Sequence, residues 1–149
     1  MPKLLFRLPY HRFGSKEIKT GKMNIKVKFF EDKLVEAIGA GIYEIYIQTN
    51  SKEELLYVGE SVFVLVRCAT HLYQIVKGIG YFGFTKDMIE NKNFTLVFKL
   101  ISSESHSNER KAKEKEVIKD KHPMMQSEIS DRVKSIENMI SEMTAFLNE

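Results

Sequence analysis

The sequence predicts an α+β domain on a three-stranded sheet, and three stretches carry that expectation. "GIYEIYIQ" (41–48) alternates, with Ile42, Tyr43, Ile45, Tyr46 and Ile47 as strand formers. "LLYVG" (55–59) follows across the polar turn "TNSKEE", so the two runs read as a hairpin. "FTLVFKLI" (94–101) supplies a third strand, and helix-period segments lie between and after. The order strand, strand, helix, strand, helix, with one helix appended, is that of an α+β domain.

The remaining elements follow in chain order. Residues 1–24 are irregular and basic, broken by Pro2, Pro9, Gly14 and Gly21. "NIKVKFF" (24–30) reads as an edge strand and "EDKLVEAIG" (31–39) as a short helix stopped by Gly39. Ser61 is placed to cap a helix reaching about Lys77. On its wheel Val62, Leu65, Ala69, Leu72, Tyr73 and Val76 gather on one side, with Arg67, His71 and Gln74 opposite. "KGIGYFG" breaks this helix, and "TKDMIEN" (85–91) is a short helix or turn. Ser107 caps a charged helix over 108–121, ended by Pro123, and 127–149 is a long amphipathic helix. The expected division is a basic N-terminal extension (1–39), a central domain (40–126) and a C-terminal helix (127–149).

Bulk properties narrow the class. A chain of 149 residues with 43% hydrophobic residues suits one domain with a real core. The single cysteine, Cys68, cannot form an internal disulfide, which fits a reducing compartment. No apolar run approaches a membrane span and no signal-peptide core opens the chain, so a cytoplasmic protein without a membrane partner is expected. The net charge of +3 is uneven: residues 1–35 hold nine Lys/Arg against three Asp/Glu, residues 127–149 two against five. The basic part suits a polyanion, because phosphate contacts release counterions; it equally suits a plain solvated surface.

Two groups of polar residues stand out. Arg67 and His71, four apart, share a helix face opposite the expected apolar stripe, so neither is needed for packing; both can also be ordinary surface residues. On the helix 108–121, Val117 and Ile118 mark the only apolar face, and Arg110 and Glu114 fall on it. A carboxylate turned inward needs a partner, either a metal ion or Arg110 four residues away.

Taken in order, "GIY" (41–43), "YVG" (57–59), Arg67 eight after Gly59, His71 four after that, and "ExxVI" (114–118) resemble the GIY-YIG nuclease superfamily over roughly residues 40–126. "KHPMMQ" (121–126) resembles the Pro-containing exit common there. YVG replaces YIG, and thirteen residues separate the two motifs, somewhat more than is usual, with the excess in the turn. The resemblance implies a small three-stranded antiparallel sheet flanked by helices, and metal-dependent hydrolysis of phosphodiesters. It implies Glu114 as ligand of Mg²⁺ (or Mn²⁺), Tyr43 activating the attacking water, and Tyr57 hydrogen-bonding the phosphate or nucleophile. Arg67 would hold the phosphate, and His71 would orient or deprotonate a tyrosine.

The chemistry has its own logic. A guanidinium forks onto two phosphate oxygens and a hard cation polarises a third. Ionising a phenol of pKa ~10 at pH 7 costs about 4 kcal/mol. Arg67 and a metal are expected to lower that cost, so activity should climb from pH 6 to pH 9. Gly41 and Gly59 can admit a nucleic-acid backbone to the sheet edge, or be ordinary strand-end glycines; Arg110 is a further candidate contact. Double-stranded DNA is the expected substrate, cut by a restriction-like endonuclease, with RNA also open. The alternative is a non-catalytic nucleic-acid-binding or interaction module on the same fold. Tyr81, Phe82 and Phe84 in "GYFGF" can stack on bases or plug the core. Ile129, Val133, Ile136, Ile140, Met143 and Leu147 form an a/d seam that would make a homodimer through 127–149, whereas Met139 and Phe146 argue for packing on the same chain.

Overall fold

The computed structural model describes residues 25–127 and 132–149, with the backbone of three short strands before them. These are β1 (Leu4–Leu5), β2 (His11–Phe13) and β3 (Lys16–Ile18), in a stretch expected to be irregular. The remaining strands are β4 (Ile25–Phe29), β5 (Gly41–Gln48), β6 (Glu53–Ser61) and β7 (Phe94–Ser103). The α-helices are α1 (Val64–Val76), α2 (Lys86–Asn91), α3 (Ser107–Lys121) and α4 (Ile136–Asn148). The α+β class stands as expected, but the sheet is mixed and larger than three antiparallel strands.

Its order is β1-β4-β7-β5-β6, with β2 and β3 forming a separate two-stranded ribbon. Central β5 pairs antiparallel with both β6 and β7. The strand expected at 24–30 joins as β4, parallel to β7 from Ile25↔Phe94 to Phe29↔Phe98. Ile25, Val27, Phe29, Phe30 and Ala37 are all buried. The domain therefore begins well before residue 40, because β4 brings a full apolar face that only the core can cover. Residues 31–35 form turns and only Glu36–Ile38 a 3₁₀ turn, where a short helix was expected.

Alternation along β5 gives the sheet two unlike faces. Tyr43, Ile45 and Ile47 enter the main core beneath α1, α4 and the turn at 81–83. Ile42 faces the other way and meets Leu55 and Val58 of β6 and Val117 and Ile118 of α3. Glu44, also on that face, is 6% exposed and receives Lys121 Nζ at 2.7 Å and the Tyr46 hydroxyl at 3.1 Å. The outer edge of β6 is covered by the chain leaving α3. Met124 and Met125 donate their amides to the carbonyls of Leu55 and Leu56 at 2.9 and 3.0 Å. Gln126 then copies a strand partner with its side chain: Nε2 donates to Val58 O at 2.8 Å, and Oε1 accepts from Val58 N at 2.9 Å.

The last helix starts at Ile136, nine residues later than expected, and residues 128–131, with Ile129 of the seam, lie outside the described residues. Met139, Met143 and Phe146 pack into the main core, while Ile136 is 56% exposed. The helix thus turns Met139, Met143 and Phe146 to its own domain, as Met139 and Phe146 suggested, while Val133 and Ile136 of the seam stay exposed. Among the described residues no helix is long and apolar enough to cross a membrane.

Candidate functional site

Helix α1 shows where side-chain pattern misled. Its buried residues are Val64, Cys68, His71, Leu72 and Ile75, whereas Val62, Ala69 and Tyr73 are exposed. The helix carries apolar residues on most of its surface, so two overlapping stripes compete, and counting His71 as polar selects the wrong one. His71 lies inside because both ring nitrogens find hydroxyl partners: Nε2 is 2.7 Å from Tyr43 Oη and Nδ1 is 2.7 Å from Tyr81 Oη. A buried polar group so satisfied avoids the cost of desolvation without a partner. Ser61 ends β6 instead of capping the helix, its Oγ accepting from Phe63 N at 3.0 Å.

Around His71 the aromatic rings close in. Its ring centroid lies 5.7 Å from Tyr43, 5.2 Å from Tyr57, 5.9 Å from Tyr81 and 5.4 Å from Phe82. Tyr57 and Phe82 are 4.8 Å apart. Tyr43 is 1% exposed, whereas Tyr57 and Tyr81 are half-buried. Phe82 and Phe84 belong to the core, leaving Tyr81 as the residue of "GYFGF" that reaches the surface. Phe82 holds a left-handed conformation (φ 50°, ψ 28°), which costs a side-chain-bearing residue about 1–2 kcal/mol. Helix α4 presses on this turn: a Cβ on Gly83 would run into the carbonyl oxygen of Met139.

Gly59 has a structural explanation of the same kind. It pairs across the ladder with Tyr43, and the place of its missing Cβ is filled by the Tyr43 hydroxyl and the ring carbon that bears it. A Cβ on Gly41 would lie 2.5 Å from the Ser102 carbonyl oxygen. Both glycines therefore serve close packing within the chain, each leaving its Cβ position to a neighbouring group.

Burial governs the electrostatics. It pushes the Tyr43 phenol far above its ordinary value; neighbouring Tyr57 adds to the rise, and Arg67 opposes it too weakly. Arg67 alone therefore does not lower the cost of ionising Tyr43, because desolvation outweighs one partly solvated cation. Burial, with Arg67 adding to it, lowers His71 to about 4, so its imidazole is neutral at pH 7. The Tyr81 phenol is raised, again mainly by burial. Arg67 is exposed, yet its charge acts on Tyr43, Cys68, His71 and Tyr81 together, which places it at the mouth of the cluster.

One measurable consequence concerns stability. Between pH 6.5 and 4 the unfolded chain takes up a proton at His71 that the folded chain refuses, so stability falls as pH falls through that window. The expected loss is about 3 kcal/mol at pH 4 relative to pH 7. Urea unfolding of the wild type and of His71→Gln at both pH values checks this; parallel losses in the two proteins would remove His71 as the source.

Glu114 and Arg110 are both buried, as the wheel of α3 predicted, at 8% and 4% exposure. Arg110 is committed to the fold: Nε donates to Glu60 Oε2 at 2.9 Å, and Nη1 to the carbonyls of Ser105 and Glu104 at 2.9 and 3.3 Å. It fastens α3 to β6 and does not face solvent as a substrate contact. Glu114 lies one turn further on, on the buried face of α3 whose Val117 and Ile118 join Ile42, Leu55 and Val58 in the smaller apolar cluster. Tyr43, packed against Gly59, belongs to the main core on the opposite face of the sheet. Among the described residues, the chain leaving α3 partners the outer β6 edge from Leu55 to Val58, the last through the Gln126 side chain.

Tyr43, Tyr57, Arg67 and His71 thus gather in one cluster, whereas Glu114 sits on α3, which packs on the other face of the sheet from Tyr43. Sequence reading missed Gln126 and gave Tyr81 only a stacking or packing role; the signal for Tyr81 was an aromatic run between two glycines directly after the His71 helix. Among the described residues, three others could offer ligand atoms within 4.8 Å of one another, Glu104, His106 and Glu109, on the exposed entry to α3 and without Glu114. No protein-family model, no curated protein and no solved structure matches this chain.

Proposed function

We propose that this protein is a divalent-metal-dependent endonuclease of the GIY-YIG type that hydrolyses phosphodiester bonds in double-stranded DNA, in the manner of a restriction enzyme. The observation that carries the reading is the meeting of Tyr43, Tyr57 and His71 around one buried hydroxyl, with the Arg67 charge at the opening. Residues so far apart in sequence, two of them polar and buried, meet here, and α3 carries a buried carboxylate on the other face of the same sheet.

Glu114 fits Mg²⁺ or Mn²⁺ as a single protein oxygen, since Mg²⁺ keeps several waters and takes one or two carboxylates with phosphate oxygens. The bound ion would polarise a phosphoryl oxygen and offset its growing charge. Arg67 forks onto the non-bridging oxygens and holds the phosphate over the cluster. Tyr57, half-buried at the rim, donates its hydroxyl to the phosphate. Tyr43 takes the proton of the attacking water while giving its own to the neutral His71, so no free phenolate is needed. Lys111, Lys115 and Lys119 stand exposed at four-residue spacing on α3 and supply a line of charge for the DNA backbone.

Incubation of supercoiled plasmid with the protein tests the reading. Nicked or linear DNA is expected with Mg²⁺ or Mn²⁺, and none after chelation. Binding of DNA without cleavage under either ion would replace the enzyme with a nucleic-acid-binding module.

A further inference from the structure

The hydrogen bonding that begins at Tyr43 does not stop at His71. Nε2 and Nδ1 of the imidazole are each 2.7 Å from a phenol oxygen, that of Tyr43 on the inside and that of Tyr81 on the outside. The line runs from a ring 1% exposed, through a ring 5% exposed, to a half-buried ring at the surface. Its outer member sits on a turn of fixed shape: Gly80 and Gly83 have φ of 98° and 82°, and Phe82 between them is left-handed and buried. Phe82 packs 4.5 Å from Tyr81 and 5.4 Å from His71, centroid to centroid, so the turn holds the Tyr81 hydroxyl on the imidazole.

A neutral imidazole has one N–H and one lone pair. To accept hydrogen from Tyr43, His71 must present its lone pair at Nε2 and its hydrogen at Nδ1, aimed at the Tyr81 oxygen. The Tyr81 O–H is then left to donate outward. We infer that Tyr43, His71 and Tyr81 form a proton relay with Tyr81 as its solvent-side end, through which the proton of the attacking water leaves the site; the catalytic part of this inference rests on the hydrolytic function proposed above.

The atoms balance without an extra reactant. As the water oxygen bonds phosphorus, the P–O bond to the leaving oxygen breaks and that oxygen takes up a proton from solvent, while the water proton moves to Tyr43 Oη. The Tyr43 proton moves to His71 Nε2, the Nδ1 proton to Tyr81 Oη, and the Tyr81 proton to bulk water. Each relay member ends neutral, which suits an interior where a lone charge is costly. Tyr81 does not touch substrate in this scheme; it acts through His71.

Tyr81→Phe keeps the ring against Phe82 and removes only the hydroxyl. Exchange of the Tyr43 hydroxyl proton with solvent, followed by NMR, is expected to slow at least about 10-fold in the variant, and kcat for plasmid cleavage to fall about 10- to 100-fold with KM unchanged. Unchanged exchange overturns the relay. Slowed exchange with unchanged kcat overturns its catalytic use. Slowed exchange in a protein whose wild type does not cleave DNA upholds the relay and sinks the nuclease reading instead. If the variant does not fold, the dependence of wild-type kcat on the deuterium fraction of the solvent decides: a bowed curve marks several moving protons and supports the relay, whereas a straight line overturns it.

Discussion

Replacing Glu114 by glutamine is expected to lower Mg²⁺-dependent plasmid cleavage by at least about 1,000-fold, the equivalent of ~4 kcal/mol of transition-state stabilisation. Glutamine keeps the volume of the side chain on a helix where Arg110, Val117 and Ile118 already secure packing. What it removes is the negative charge that a hydrated divalent ion requires at that point. Glu109→Gln is the matched control, because Glu109 is an exposed member of the Glu104–His106–Glu109 group and should leave cleavage unchanged. Cleavage rates for the two variants, with circular dichroism to confirm folding, read the result. A Glu114→Gln protein within about 10-fold of wild type would take Glu114 out of the metal role.

Gly59→Ala is expected to cost both stability and activity. The added methyl would fall on the Tyr43 hydroxyl and its ring carbon and would lie 2.9 Å from Tyr57 Cε2. Tyr43 is 1% exposed and enclosed by core residues, so its ring has no free direction in which to yield. Overpacking of this kind costs about 1–3 kcal/mol. Any displacement that relieves it also lengthens the 2.7 Å contact from Tyr43 to His71. A shift near 1 Å at a reacting group lowers rate on the order of 100-fold. Chemical denaturation and cleavage assays on the same preparation measure the two effects. Wild-type stability together with wild-type rate would show that the strand edge tolerates a side chain, and the close fit of Tyr43 to Gly59 would lose its significance.

The hairpin of β5 and β6 was legible because alternation is a strictly local property. Tyr43 and Ile45 must share one face and Ile42 take the other, whatever surrounds them. The buried face of α3 was legible for the converse reason: in a helix so rich in lysine and glutamate only one side offers apolar residues, so Glu114 had to share it. Helix α1 was not legible, since it offers apolar residues on most sides and nothing local says which side meets the sheet. The partners that let His71 go inside, Tyr43 and Tyr81, are 28 and 10 residues away in sequence. Strand β4 was seen as an edge strand, but its parallel seat beside β7 depends on a pairing across some seventy residues. Gln126 was invisible for a similar reason: a side-chain amide acts as a strand only when an unpaired strand edge happens to stand beside it.

By itself, the order of residues determined which segments alternate, which repeat with helical period, and which reactive side chains lie four residues apart on one turn; those follow from backbone geometry and short-range sterics. Only the tertiary structure decided which faces are buried, that Tyr43 rests on Gly59, and that Tyr43 keeps its proton while His71 stays neutral. These depend on desolvation and on contacts between distant segments, and neither can be read from a residue's neighbours in the chain.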